Sequence, residues 1–214
     1  MSTSRGKPRL RIEDVFLLDS PGATRFYWGE VKFEGALENT ASRIMEVPAL
    51  VASGRMKPAE HIEIRITKGG QAGDFIWNDG NLLVASEKVL QVLESKRFRG
   101  FFPIPTEVLM KTHSGPLRGY SVLAIRGRAG PIDEVRSRVV RSGRYGPDGR
   151  PRIMAIDGLY FDSENWDGSD IFSVEDFPLQ ALITRDVLGA LRDRTITNFS
   201  ARPLSEFRFG YGDP

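Results

Sequence analysis

Two histidines, His61 and His113, are the only side chains here whose ordinary pKa suits proton transfer near neutral pH. His61 falls on the polar side of the alternating run His-Ile-Glu-Ile-Arg-Ile-Thr, and His113 in the turn-like Thr112-His113-Ser114-Gly115. Both contexts point to the surface, and a histidine-based triad would have to use one of them. Ser4-Arg5-Gly6-Lys7 has the Ser-x-x-Lys spacing of acyl-serine enzymes, but that chemistry needs the serine at a buried helix start and this one lies in a polar arm. Ser163-x-Asn165-x-Asp167-Gly168 has the opening of a calcium loop, yet its twelfth position is Val174, where a bidentate Glu belongs. A tight turn is the expectation there. With no cysteine, disulfides, thiolate catalysis and Cys-rich zinc sites are excluded. No Gly-rich phosphate loop, His-Glu-x-x-His or Gly-x-Ser-x-Gly occurs. The expectation is a protein that is not an enzyme, with no catalytic residue, metal ligand or cofactor, and no cleft gathering nucleophile, base and oxyanion donor.

The elements that would position any chemistry tell more. Ser86 to Pro105 and Thr184 to Pro203 lie 98 positions apart and match at Val89/Val187, Leu90/Leu188, Leu93/Leu191, Phe101/Phe199 and Pro105/Pro203. Ser86 and Thr184 have the character of helix N-caps, while Gly100 and Asn198 tolerate a left-handed backbone. Apolar residues at helical spacing, Val89-Leu90-x-Val92-Leu93 and Val187-Leu188-x-Ala190-Leu191, predict a helix of about ten residues lying on a sheet. An apolar strand precedes each helix. A short strand from Phe101 or Phe199 follows and is expected to stop at the proline, which has no N–H to donate. Asp74-Phe75-Ile76 and Asp170-Ile171-Phe172 add an extended piece before each unit.

Leu83-Val84-Ala85-Ser86-Glu87, Tyr120 to Ile125 followed by Pro131-Ile132-Asp133-Glu134-Val135-Arg136-Ser137, and Gly168-Ser169-Asp170-Ile171-Phe172 with Leu182-Ile183-Thr184 resemble the eleven-type immunity proteins of bacterial polymorphic-toxin loci. The likeness covers roughly residues 74–207. It implies a cytoplasmic protein that protects its producer by binding a cognate toxin, and it transfers no catalytic residue. Where the family signature begins its second helix with Ser-Glu, this chain has Thr184-Arg185, which keeps the cap and reverses a charge.

Charge is segregated although the net value is only +2. Arg5, Lys7, Arg9 and Arg11 make residues 1–11 a basic arm, expected to be flexible. Arg136, Arg138, Arg141, Arg144, Arg150 and Arg152 stand against the single Asp148 and form a basic patch, while the rest of the chain is acidic on balance. Gly143, Gly146 and Gly149 lead us to expect residues 137–151 to be a flexible, exposed, poorly packed loop. The arm and the loop would suit nucleic acid or a partner of opposite charge.

Elsewhere Thr24 to Phe33 and His61 to Thr67 alternate as half-buried antiparallel strands, and Tyr120 to Ile125 and Arg152 to Ile156 are short apolar strands. Hydrophobic residues make up 40% of the chain, enough for a sizeable core. The first residues lack the apolar run of a signal peptide, and no stretch approaches a membrane span. Together these predict an α+β fold, mostly antiparallel, with two pseudo-repeated strand-helix-strand units near 73–105 and 169–203 in one domain over 12–214. The expected function is non-enzymatic occlusion of a protein toxin. A nucleic-acid-associated protein is the alternative and a hydrolase the third reading. Trp77 and Trp166 beside Asp-Gly turns are the expected toxin anchors, with Asp79, Asp167 and Asp170 as an acidic rim.

Overall fold

The structure, a computed structural model, describes residues 10–23, 25–33, 51, 62–110, 115–145 and 151–210. In chain order the first strands are β1 (Val15–Asp19), β2 (Trp28–Phe33), β3 (Ile62–Lys68), β4 (Phe75–Asn78) and β5 (Val84–Ser86). Helix α1 (Glu87–Ser95) follows, then β6 (Phe101–Leu109), β7 (Pro116–Leu117), β8 (Tyr120–Ile125), β9 (Gly127–Ala129), β10 (Arg138–Tyr145), β11 (Pro151–Asp157), β12 (Ile171–Val174) and β13 (Phe177–Thr184). Helix α2 (Arg185–Asp193), β14 (Ser200–Pro203) and β15 (Arg208–Phe209) complete the series. The fold is α+β and mostly antiparallel; the exceptions are the parallel pairs β2–β4, β3–β6 and β9–β12.

Six strands close on themselves in the order β3-β2-β4-β5-β8-β6, with β6 returning to pair β3. The alternation of Ile62, Ile64 and Ile66 points them into this barrel, where they meet Ile76, Val84, Ile104, Val108 and Val122. The opposite faces of β5 and β8, Ala85, Leu123 and Ile125, are covered as well, together with Leu83 just before β5. That is why Val84-Ala85 and Val122 to Ile125 are apolar at successive positions.

The cover is the helix pair. Val89, Val92 and Leu93 of α1 and Val187, Leu188, Ala190 and Leu191 of α2 share one core with Phe75, Leu123, Ile171 and Ile183. The helices therefore join the barrel wall to a five-stranded sheet of order β14-β1-β13-β12-β9. The far face of that sheet, Val15, Leu17, Phe172, Val174 and Leu182, forms another core with Ile156, Leu159 and Phe161. The small sheet β10-β11-β15 contributes to it through Ile156 and the half-buried Val139 and Ile153.

One antiparallel order occurs in two places, β4-β5-β8-β6 and β12-β13-β1-β14. Phe75↔Ala85 in the first matches Ile171↔Ile183 in the second, and Pro105↔Ser121 matches Pro203↔Phe16. The fourth strand follows its helix in both, but the third is β8, soon after in sequence, in the first case and β1, far earlier in the sequence, in the second.

Both helices begin after the expected caps but on different terms. Ser86 Oγ accepts from Val89 N at 3.4 Å and donates to Asp74 Oδ1 at 3.1 Å. Thr184 makes no side-chain cap bond, and its buried Oγ1 finds no partner among the described residues. The C-termini coincide. Phe98 N bonds Leu93 O and Arg97 N bonds Glu94 O, as Ile196 N bonds Leu191 O and Thr195 N bonds Arg192 O. These are two Schellman closures with left-handed Arg97 (φ 58°) and Thr195 (φ 48°), neither a glycine.

Each helix's trailing loop is held by an aspartate from the other half. Asp74 Oδ2 accepts from Thr197 N at 2.8 Å and Thr197 Oγ1 at 2.9 Å; Asp170 Oδ2 accepts from Arg99 N at 2.8 Å. Gly100, at φ 102°, passes so close to the second half that a Cβ there would overlap the Ile171 carbonyl. Asn198, at φ 59°, is buried and donates to Phe75 O at 2.8 Å.

Two expectations are corrected. β6 does not stop at Pro105: it pairs β8 through Pro105 and β3 from Thr106 onward, so the proline marks a change of partner. Residues 138–145 and 151–157 are not loop but the antiparallel strands β10 and β11. Ser137 is buried, exchanging hydrogen bonds with the Tyr160 backbone, and Arg141 bonds Glu134 Oε1 and Pro151 O. The described part of the segment is thus a paired strand tied down at Ser137 and Arg141. Residues 146–150, and residues 1–9 of the arm 1–11, lie outside the described residues.

Candidate functional site

The turn residues expected to face a partner are largely occupied by their own fold. Trp77, half-buried, donates Nε1–H to Asn198 O at 2.7 Å and packs on Phe75. Trp166, also half-buried, donates to Ser169 O at 2.9 Å and packs on Phe172. Asp79 Oδ1 accepts from Val31 N, Asp167 accepts from Ser169 N and Arg128 N, and Asp170 latches Arg99. Carboxylates taking backbone donors in this way order turns. The structure brings Trp166, Asp167 and Asp170 into one turn and Trp77 and Asp79 into another, and the two indoles belong to different cores. The Ser163-Gly168 stretch is a tight turn in which Asp162 accepts from Glu164 N.

The basic patch is built on the β10-β11 hairpin. Arg136, just before β10, stacks over the Tyr160 ring at 4.3 Å. Arg138 extends into solvent with Asp157 at 3.7 Å, and Asp157 also meets Arg208 at 3.4 Å. Arg141 is half-buried against Glu134, and Arg152 is exposed. Arg144 belongs to β10, while Arg150 lies outside the described residues, as do His61, His113, Ser4 and Lys7.

Large exposed apolar residues gather at the same place. Among the described residues they are Val135, Val140, Met154, Phe209 and Trp28, and the first four lie in this small sheet or on the approach to it. Val135 is 97% exposed and Met154 55%. Met154 is the extra residue of β11 where the register shifts between Val140 and Arg141. Sequence reading missed this face because its apolar positions follow no alternation.

Beside the hairpin base opens a groove of about 390 Å³, whose lining includes Arg136, Tyr160, Phe16 and Arg185. Arg185 bonds Asp14 Oδ1 and Glu13 O, so its charge is already engaged. Glu13 is held below its usual range by its own backbone N–H first, then by Arg11, with Arg136 adding to the effect. The groove's charges are mostly satisfied internally, and the hairpin carries the surplus.

Among the described residues no group of three His, Asp or Glu is placed to hold a metal ion, and no helix is long and apolar enough to cross a membrane. Compared with known proteins, the chain matches no family model and no curated protein.

Proposed function

We propose that this protein is an immunity protein, binding a cognate bacterial toxin and blocking it by occlusion without catalysing a reaction. One observation carries the reading to a place on the molecule: exposed Val140 and Met154 stand among exposed arginines on a sheet whose other face is anchored in a core. Apolar centre with a charged surround is the composition of a protein interface, and surplus positive charge speeds encounter with an acidic partner. The sequence likeness to immunity proteins supports the class, because the residues that carry it, Ser86, Asp170 and Thr184 among them, build helix starts and inter-half latches.

The two halves are in this reading copies of one ancestral unit. What supports it is the shared strand order, the paired Schellman closures at offset 98 and the reciprocal aspartate latches.

The test is co-purification with the protein product of the adjacent reading frame, followed by titration. Wild type should bind, and the pair Arg138→Glu and Arg152→Glu should weaken binding on the order of a hundredfold, two lost charge contacts at about 1.4 kcal/mol per tenfold. Trp77→Ala with Trp166→Ala should instead lower stability. An arginine pair that binds like wild type would remove the hairpin from the interface. The same arginines would also serve a nucleic-acid phosphate backbone, and salt separates the two: phosphate-driven affinity falls by orders of magnitude between about 50 and 200 mM salt, whereas an interface with a packed apolar centre loses far less.

A further inference from the structure

Arg136 is the exception to the internal pairing of the groove's charges. Arg11 bonds Glu13 and reaches Asp14, and Arg185 bonds Asp14. Arg11, Arg136 and Arg185 thus face Glu13 and Asp14, which leaves a surplus of one positive charge. That charge is Arg136: its side chain has no ion pair or hydrogen bond among the described residues and rests over the Tyr160 ring, 4.3 Å from the centroid. Both parts of the stack are held in place. Arg136 N donates to Asp133 Oδ1 at 3.2 Å, and the Tyr160 backbone exchanges hydrogen bonds with Ser137. A cation over an aromatic face keeps its N–H groups for a further partner, and a guanidinium matches a carboxylate with two parallel bonds.

Beside this guanidinium Ile12, Val15, Phe16 and Leu204 supply an apolar lining. A volume of about 390 Å³ with apolar walls and a few polar groups is the usual character of a small-molecule site. An extended peptide is the poorer fit. β1, which carries Val15 and Phe16, is paired with β13 on one edge and β14 on the other, so it has no free ladder to hold a main chain. A doubly charged phosphate also fits less well, because one charge alone is in surplus and Glu13 lines the same groove.

We propose that this groove binds a small organic monocarboxylate with a compact aromatic body, its carboxylate on Arg136 and its ring against the apolar lining. The site goes beyond the toxin-binding reading and does not depend on it.

The experiment titrates the full chain with phenylacetate, with its neutral isostere phenylacetamide and with acetate, following backbone amide shifts by NMR. Phenylacetate should bind with a Kd on the order of a millimolar and move the amides of residues 12–16, 136, 160, 204 and 205. Phenylacetamide keeps the ring without the charge, and acetate the charge without the ring; each should bind about tenfold more weakly or worse. Arg136→Gln should cost phenylacetate a similar factor and the amide nothing, while the thermal midpoint stays put. Arg136→Lys, which keeps the charge without the two-pronged geometry, should recover only part of the loss. Equal affinity of acid and amide, or shifts confined to other parts of the chain, overturns the proposal, and both are read on the wild type whatever the variants do. A folded Arg136→Gln protein that binds phenylacetate like wild type overturns it too. A last arm separates the sources of a carboxylate: the end-blocked peptide Ala-Phe-Glu-Ala presents ring and acid on a main chain. It should bind more weakly than phenylacetate, and tighter binding at the same amides would replace the small ligand with an acidic segment of a protein partner.

Discussion

Ser86 and Thr184 occupy equivalent positions and differ in what their hydroxyls do. Ser86 satisfies a helix N–H and an aspartate, so Ser86→Ala should lower stability by about 1 kcal/mol in urea unfolding. Thr184 Oγ1 is buried with no partner among the described residues, so the isosteric Thr184→Val should be neutral or slightly stabilising. Equal losses at both sites would show that the Thr184 hydroxyl is satisfied after all. Tyr120 supplies a pH-dependent counterpart. Its hydroxyl donates to Gly73 O at 2.7 Å, and burial, with Asp74 and Tyr27 nearby, pushes its pKa up to about 12. Since the folded value lies above the unfolded one of about 10, the contribution is intact below about pH 10 and is lost as pH rises through about 12. The wild type should therefore weaken more steeply than Tyr120→Phe across that alkaline window. Both cap positions were legible in sequence because Ser and Thr before an apolar helical stripe have a local meaning. The aspartates were not: what Asp79, Asp167 and Asp170 accept is decided by backbone N–H groups far away in sequence, and an Asp-Gly turn looks the same whether it caps a neighbour or meets a partner.

Among elements, the two helices and β8 were readable because their periodicity is local and unbroken. The β10-β11 hairpin was not. Its register shifts between Val140 and Arg141 and again before Tyr145, which breaks the two-residue period that announces a strand, and its glycines and arginines look like loop. The closure of the helices held a further surprise. Gly100 and Asn198 do adopt positive φ, but the residues that end the helices are Arg97 and Thr195. A left-handed β-branched residue costs roughly 1–2 kcal/mol, partly offset in a glycine variant by about 0.5–1 kcal/mol of extra unfolded-chain entropy. Thr195→Gly should thus raise stability by about 0.5 kcal/mol, with Arg97→Gly in the same direction. A loss at either position would mean that its side chain makes contacts outweighing the backbone strain.

For the whole molecule, α+β class and antiparallel preference followed from the sequence, but the barrel did not. Its closure depends on β3 meeting β6 in parallel, and nothing in either strand's pattern names a partner across the molecule. Pro105 illustrates the limit: its missing donor correctly marks the end of one ladder, yet the strand continues into another. The position of β1 has a consequence for how the chain comes together in time. During synthesis β4, α1, β6 and β8 emerge as one contiguous block able to pair as soon as they are made. β1, by contrast, leaves the ribosome early with both its edges unfilled, because its neighbours β13 and β14 are still to come; the Asp19 carbonyl waits for Ser200, 181 positions on. Closing so long a loop is entropically slow. Throughout that interval Val15, Leu17 and Leu18 form a short sticky strand with no partner, so nascent chains are most exposed to mispairing and chaperone capture there, before β13 and β14 have been made.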